Sequence, residues 1–319
     1  MRAVTDLPTP LEEAPPELSF GRPLYLKRED VHELGAFKWR GALPALEKYR
    51  SDGADAVVTA STGNHGAAAA WAAQRTGMRA VVFVPEGASA SKVAILEDLG
   101  AELHQAGADL DASKELAREH ADANNLPFFE DGAEPAQFDG YRAIGEEIDQ
   151  QMRERLGHAI RRVFVPIGNG ALAIGVARTG GDVMGVVAKE APVMALSVAA
   201  GHPVDCERSA TFADGMAVRV AIPLAVRELW SLMVPMFTVS ERAIAFGVRD
   251  YDAARIHAEG AAGAGLAGFR NSGFGKTDDP NSPLELAPDE HPAVVIVTGR
   301  NIDDELHRRC VENPYSFPD

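Results

Sequence analysis

The chain has 319 residues, 46% of them hydrophobic, and a formal net charge of −16. That length suffices to bury the cores of two domains, and the acidic balance excludes a nucleic-acid binder, which needs clustered Lys and Arg. With only Cys206 and Cys310 there is no disulfide framework and no cysteine-based metal cluster, as expected in a reducing compartment. No apolar run is long enough to span a bilayer and no basic-then-apolar leader is visible, so a cytoplasmic protein without membrane contact is expected.

In chain order, the Pro-rich stretch Pro8–Pro16 reads as an extended arm. A strand-like run, Leu24–Arg28, precedes Gly35-Ala-Phe-Lys-Trp-Arg-Gly41, and Ala42–Leu46 is helix-like. Ala56–Val58 is strand-like, Thr59-Ala-Ser-Thr-Gly-Asn-His-Gly66 is a polar turn, and Ala67–Arg75 is helix-like. Further strands are expected at Ala80–Val84, Glu102–Gln105, Arg162–Pro166, Val183–Ala188, Phe237–Val239 and Ala293–Thr298. Helices are expected at Ala90–Leu99, Asp111–Asn124, Tyr141–Leu156, Leu224–Met233 and Glu241–Ala258. Gly268–Pro292, rich in Gly, Asp, Pro and Ser, reads as a loop. The alternation predicts an α/β protein with parallel sheets covered by helices on both faces.

Two segments carry chemistry. Lys38, between an aromatic residue and a Trp-Arg-Gly run, is placed as a reachable amine of the kind Schiff-base chemistry with a carbonyl cofactor requires. By itself it is equally readable as a surface lysine. The turn at residues 59–66 lies between a strand and a helix, offering backbone N–H groups and short side chains to an anion. A helix cap explains one of its polar residues. It leaves Ser61, Thr62, Asn64 and His65 together unexplained.

These two motifs together resemble the fold-type II pyridoxal-phosphate enzymes, in particular the threonine/serine dehydratase and serine racemase group. The resemblance continues in order through Val165-Pro-Ile-Gly-Asn-Gly-Ala-Leu172, Thr211-Phe-Ala-Asp-Gly-Met-Ala217, His257-Ala-Glu-Gly-Ala-Ala-Gly263 and Val297-Thr-Gly-Arg-Asn301, spanning roughly residues 24 to 302. It implies a tryptophan synthase β-like fold. A larger cofactor-binding domain would comprise residues 1–51 and 141–319, and a smaller one residues 52–140. It implies pyridoxal 5′-phosphate as cofactor, a small amino acid as substrate and a homodimer.

The roles that the resemblance implies are specific. Lys38 would hold the cofactor as a Schiff base and, once displaced by substrate, take the α-proton; Phe37 would lie against the pyridine ring. Gly168, Asn169, Gly170, Ala171 and Leu172 would cradle the phosphate. A dinucleotide fingerprint is the rival reading of that loop, weakened by Ala173 at the sixth position. Asn64 would bond the phenolic oxygen, while Ser61, Thr62, Gly63, Asn64 and His65 receive the substrate carboxylate. Glu259, in the late Glu-Gly segment, joins the cofactor set. Thr298 would meet the pyridine nitrogen as a neutral hydroxyl, favouring elimination over transamination. Thr62 stands where dehydratases tend to carry Ala and racemases Ser, so its hydroxyl could reprotonate the α-carbon or serve only the carboxylate.

The chain also departs from the family. Phe138-Asp-Gly-Tyr-Arg-Ala-Ile-Gly-Glu146 replaces the dehydratase Gly-Gln-Gly-Thr segment and is similar to threonine synthase-like relatives, which leaves the β-substituent open. Asn169 and Ala171 interrupt the usual glycine run. The metal-binding carboxylates of serine racemases would fall at Val187 and Val193, which cannot ligate a hard cation, so no metal is expected. With the chain reaching Asp319 soon after Thr298, a regulatory domain of the kind found in biosynthetic threonine dehydratases is not expected. The expected reaction is α,β-elimination on a β-hydroxy L-amino acid. Racemisation or β-replacement on the same scaffold is the alternative, and a non-catalytic cofactor or amino-acid binder is a third reading.

Overall fold

A computed structural model describes residues 8–159, 162–272 and 292–319. Its strands are β1 (Leu11–Glu13), β2 (Leu24–Arg28), β3 (Ala56–Ala60), β4 (Arg79–Val84), β5 (Glu102–Gln105), β6 (Arg162–Pro166), β7 (Asp182–Ala188), β8 (Met236–Val239) and β9 (Ala293–Val297). The helices begin with α1 (Pro16–Ser19), α2 (Trp39–Ser51), α3 (Asn64–Thr76), α4 (Ala90–Asp98), α5 (Leu110–Asn124) and α6 (Pro135–Leu156). They continue with α7 (Ala171–Ala177), α8 (Val193–Ala200), α9 (Pro223–Ser231), α10 (Glu241–Ala253), α11 (Gly260–Asn271) and α12 (Asp304–Glu312). Among the described residues, no helix is long and apolar enough to cross a membrane.

The chain divides into two compact units, one holding the residues up to Ala36 with Arg142–Asp319, the other Phe37–Tyr141. The breaks therefore fall at 36/37 and 141/142 where 51/52 and 140/141 were expected. The first differs because α2 packs against α3 and belongs with it.

The smaller unit has a parallel sheet in the order β3-β4-β5. β3 (Ala-Val-Val-Thr-Ala) is buried at every position, as a parallel strand covered on both faces must be. Val58, Val81, Phe83, Ala117 and Ala121 form a core between the sheet and α5. In the larger unit the order is β1-β2-β9-β6-β7-β8, all parallel except β1, which runs antiparallel to β2. The Pro-rich arm thus contributes an edge strand. It is tied down by Lys27, whose fully buried amine donates to the Thr9 carbonyl (2.8 Å), Glu147 (2.6 Å) and Gln151 (3.0 Å). All three ammonium protons are thereby satisfied, the condition for burying such a charge.

Several elements differ from the expectations. α6 starts at Pro135, before the expected Tyr141, and α10 stops at Ala253, before Ala258. α8, α11 and α12 were not foreseen, and Gly268–Asn271 are helical within α11 where a loop was expected. Residues 273–291 of that expected loop lie outside the described residues. α11 carries glycines that lower its intrinsic helix propensity by about 1 kcal/mol each. Packing overrides this: a Cβ on Gly247 of α10 would come within 2.2 Å of the Gly263 carbonyl, so the two helices meet backbone to backbone.

Candidate active site

In the smaller unit, Lys38 immediately precedes α2 in right-handed helical conformation (φ −64°, ψ −20°). Its side chain is 14% exposed, and its amine donates to Asp131 Oδ2 at 2.6 Å. Gln137 Nε2 donates to Asp131 Oδ1 at 2.8 Å and to the Tyr141 hydroxyl at 3.3 Å, while Gln137 Oε1 accepts from the Gly132 N–H at 2.8 Å. Gln137 and Tyr141 are four apart on α6 and so share one face. Burial lifts the Tyr141 phenol well above its ordinary range, keeping it neutral. The Phe37 ring lies 5.0 Å from the Tyr141 ring, and the Lys38 amine is 5.2 Å from the Phe37 ring centre.

The Gly-Tyr departure noted at residues 140–141 has a structural use here. Pro44 lies inside α2 and cannot donate to the Arg40 carbonyl four residues back. Gly140 approaches that carbonyl so closely that a Cβ would stand 2.0 Å from it. The α6 backbone thereby closes against the first turn of α2, directly after Lys38.

The turn at Ser61–Gly63 is anchored by the Ser61 N–H, which donates to the Phe83 carbonyl of β4 at 3.2 Å. Ser61 Oγ accepts from the Gly63 N–H at 3.2 Å. α3 begins at Asn64 behind Gly63, with no side-chain cap on its first N–H groups, which leaves them directed at the turn. Ser61, Thr62 and Asn64 are half-buried and Gly63 exposed. His65 differs from its neighbours, since its ring points into the unit. Thr59 Oγ1 already donates to the Phe129 carbonyl (2.8 Å), so His65 Nε2, at 3.1 Å from Thr59 Oγ1 and 3.2 Å from that carbonyl, must be the donor. Nδ1 then carries a lone pair and faces Asp131 Oδ1 at 3.8 Å. Burial pushes the imidazole below its ordinary value, against the pull of Asp131. What position 65 can offer a carboxylate is its backbone N–H.

In the larger unit, Gly168, Asn169 and Gly170 form the loop between β6 and α7, with Gly170 at φ +88°; Ala171 and Leu172 are already the first helical residues and are buried. Gly168 is sterically required, because a Cβ there would lie 2.2 Å from the Gly215 carbonyl. Gly215 belongs to the Thr211–Ala217 signature, which Glu241 holds in place. The buried Glu241 Oε2 accepts from Thr211 Oγ1 (3.1 Å) and the Phe212 N–H (2.9 Å), and burial pushes this carboxyl above the usual range.

Thr298 directly follows β9 and is buried; its hydroxyl donates to Glu259 Oε1 at 2.8 Å. Glu259 precedes α11, and its N–H donates to the Gly299 carbonyl at 3.0 Å. With the Thr298 proton on Glu259, the hydroxyl presents lone pairs in its remaining directions. Val187 in β7 and Val193 at the start of α8 are buried. Among the described residues no group of three or more His, Cys, Asp or Glu could hold a metal ion.

Sequence reasoning missed Asp131, Gln137 and Glu241, and met Tyr141 only within the Gly-Tyr-Arg departure, without its role. The four-residue spacing of Gln137 and Tyr141 was a further visible signal. The smaller unit by itself offers a reachable amine and an uncapped helix opening, and the larger by itself an uncapped helix opening and a buried hydroxyl beside a carboxylate, the kinds of group that an aldehyde-bearing phosphate ester takes.

Residues 4–281 match the family described as pyridoxal-phosphate dependent enzyme. The biosynthetic L-threonine dehydratase IlvA of Pasteurella multocida is 31% identical over 271 residues, covering 82% of this chain and 52% of that protein. A putative threonine dehydratase of Sinorhizobium fredii is 31% identical over 304 residues, covering 91% of this chain and 86% of that one. The chain spans about half the length of the Pasteurella enzyme and of the chloroplastic tomato threonine dehydratases that it also matches. Among solved structures, the processed threonine deaminase isoform 2 of Solanum lycopersicum superposes with a TM-score of 0.83 at 28% identity, over 96% of this chain and 88% of that one. Diaminopropionate ammonia lyase of Escherichia coli, in complex with an aminoacrylate-cofactor intermediate, does so at 0.84 and 25%, over 98% and 88%. The motif order read along the chain and the α/β architecture built from it therefore have one source: this chain belongs to the pyridoxal-phosphate-dependent enzyme family, of fold type II, and its cofactor is pyridoxal phosphate.

Proposed function

We propose that the protein is an ammonia-lyase that converts a β-hydroxy L-amino acid to a 2-oxo acid and ammonia. The observation that carries this reading is the Lys38 amine, reachable yet held in a polar network at the start of a helix. The residues that would hold the cofactor are Lys38, Phe37 and Asn64, the loop and helix start at Gly168–Leu172, and Thr298 with its partner Glu259. Ser61, Thr62, Gly63, Asn64 and the His65 N–H would take the substrate carboxylate.

When bound, pyridoxal phosphate supplies an electron sink that acidifies the α-hydrogen of an amino acid. Lys38 Nζ takes that proton, the Cα–H pair becomes the Cα–Cβ double bond, and the β-hydroxyl departs with a proton as water. The released enamine tautomerises and takes up water, so the net products are the 2-oxo acid and ammonia. A cytoplasmic homodimer is the assembly that fits this reading.

The test is a panel of β-substituted L-amino acids (serine, threonine, phenylserine and 2,3-diaminopropionate) scored for 2-oxo acid and ammonia, in equal amounts from the β-hydroxy substrates and with a second ammonia from diaminopropionate. Release from a β-hydroxy substrate is expected. Release from diaminopropionate alone would replace hydroxyl by amine as the leaving group.

Racemisation is the second reading, and the half-buried Thr62 hydroxyl favours it. If that hydroxyl delivers a proton to the α-carbon, Thr62→Ala removes D-isomer formation by about 10²–10⁴-fold, the usual contribution of a general acid, and spares elimination. Equal D-isomer yields from wild type and Thr62→Ala make Thr62 a carboxylate ligand only.

A further inference from the structure

We infer that Asp131 is the positioning residue for the Lys38 amine, holding it whenever the lysine is not joined to the cofactor. The inference rests on the lyase reading above and adds to it a residue that neither motif contains. Asp131 Oδ2 lies 2.6 Å from Lys38 Nζ, closer than an ordinary N–H···O bond, as expected where donor and acceptor both carry charge. The carboxylate is not a loose surface partner, being 19% exposed at its side chain. Its other oxygen is held by Gln137 at 2.8 Å, and Gln137 is itself held by the Gly132 N–H and the Tyr141 hydroxyl.

His65 completes the arrangement. Its proton is committed to Thr59 and the Phe129 carbonyl through Nε2, so Nδ1 turns a lone pair toward Asp131 and cannot compete with Lys38 as a donor. The lysine is a cation to which this carboxylate is turned at 2.6 Å, and it is the residue that must be freed, protonated and returned in every turnover. Holding it in one place is a matter of geometry. A base displaced by about 1 Å from its productive position can lose about 10²-fold in rate.

The test compares wild type, Asp131→Asn and Asp131→Glu as holoenzymes and as cofactor-free proteins. In the holoenzymes, Asp131→Asn should keep the cofactor absorption and the melting temperature, lower kcat by about 10²-fold with KM little changed, and enlarge the primary deuterium isotope effect at the α-carbon. Asp131→Glu should recover part of kcat. In the cofactor-free proteins, a limiting acylating reagent followed by peptide mapping reads the amine directly. Lys38 should be labelled several-fold faster in Asp131→Asn, because the ion pair no longer shields it.

Wild-type kcat in Asp131→Asn, with wild type active, overturns the inference. If wild type itself releases no 2-oxo acid, the lyase reading fails and the labelling decides alone. Faster Lys38 labelling in Asp131→Asn then supports the placement of Lys38 by Asp131, and unchanged labelling overturns it.

Discussion

Lys38→Ala is expected to abolish covalent cofactor attachment and with it the reaction. Wild-type protein loaded with pyridoxal phosphate should absorb in the blue–violet. After borohydride reduction, the phosphopyridoxyl group should map to the peptide containing residue 38. The alanine variant should carry no adduct there and should lose at least the 10²–10⁴-fold that a positioned base contributes. Lys48 and Lys92 are the internal controls. Lys48 is more than half exposed and paired with Asp52 one helical turn on, and Lys92 lies in α4. Adduct on either, with none on Lys38, would overturn the assignment. Asp131 sharpens the expectation, because in Lys38→Ala it loses its amine partner. A fall in stability beside the fall in activity is therefore part of the expected result.

Thr298→Val should show the second large effect, on stability first. The valine is nearly isosteric but leaves Glu259 Oε1 without the 2.8 Å hydroxyl donor it has in a buried site. A hydrogen bond to a charged group contributes about 1.5–3 kcal/mol. The melting temperature should fall by several degrees in Thr298→Val and little in Thr298→Ser, which keeps the hydroxyl. Cofactor affinity should follow the same order, since Thr298 would meet the ring nitrogen only while Glu259 orients it. Equal stability and equal cofactor affinity of the two variants would show that the hydroxyl is an ordinary strand-end group. Thr298→Asp changes more than one thing. It would put a second carboxylate against Glu259, and two such groups in one buried site cannot both ionise readily. A spectral change in that variant reports the pair as a whole.

Thr298 and Lys38 illustrate how much the linear sequence disclosed. Strand-like runs bounded by turn residues located β2, β5 and β6 at the same ends as the structure; of these, β6 (Arg-Val-Phe-Val-Pro) shows the apolar run that a parallel strand buried on both faces needs. The motifs around Lys38, Ser61–Gly66 and Gly168–Leu172 were legible because their chemistry is local: an amine, a turn and a helix start need only neighbours in sequence. The partners of those residues were not legible. Asp131 is 93 positions from Lys38 and Glu259 is 39 from Thr298, and nothing in either segment names the other. Their hydrogen bonds exist only once β3, α6 and α11 have taken their places, and β3 and α6 pin the His65 and Gln137 side chains that surround Asp131. α11 itself was missed for a related reason. Its glycines argue against a helix locally, and the close approach of Gly263 to Gly247 on α10 argues for one. Composition and motif order thus determined the α/β class and the family, and singled out Lys38 as the candidate amine. The tertiary structure decided which carboxylate holds that amine and which orients the buried hydroxyl, because hydrogen-bond geometry depends on where distant backbone segments come to rest.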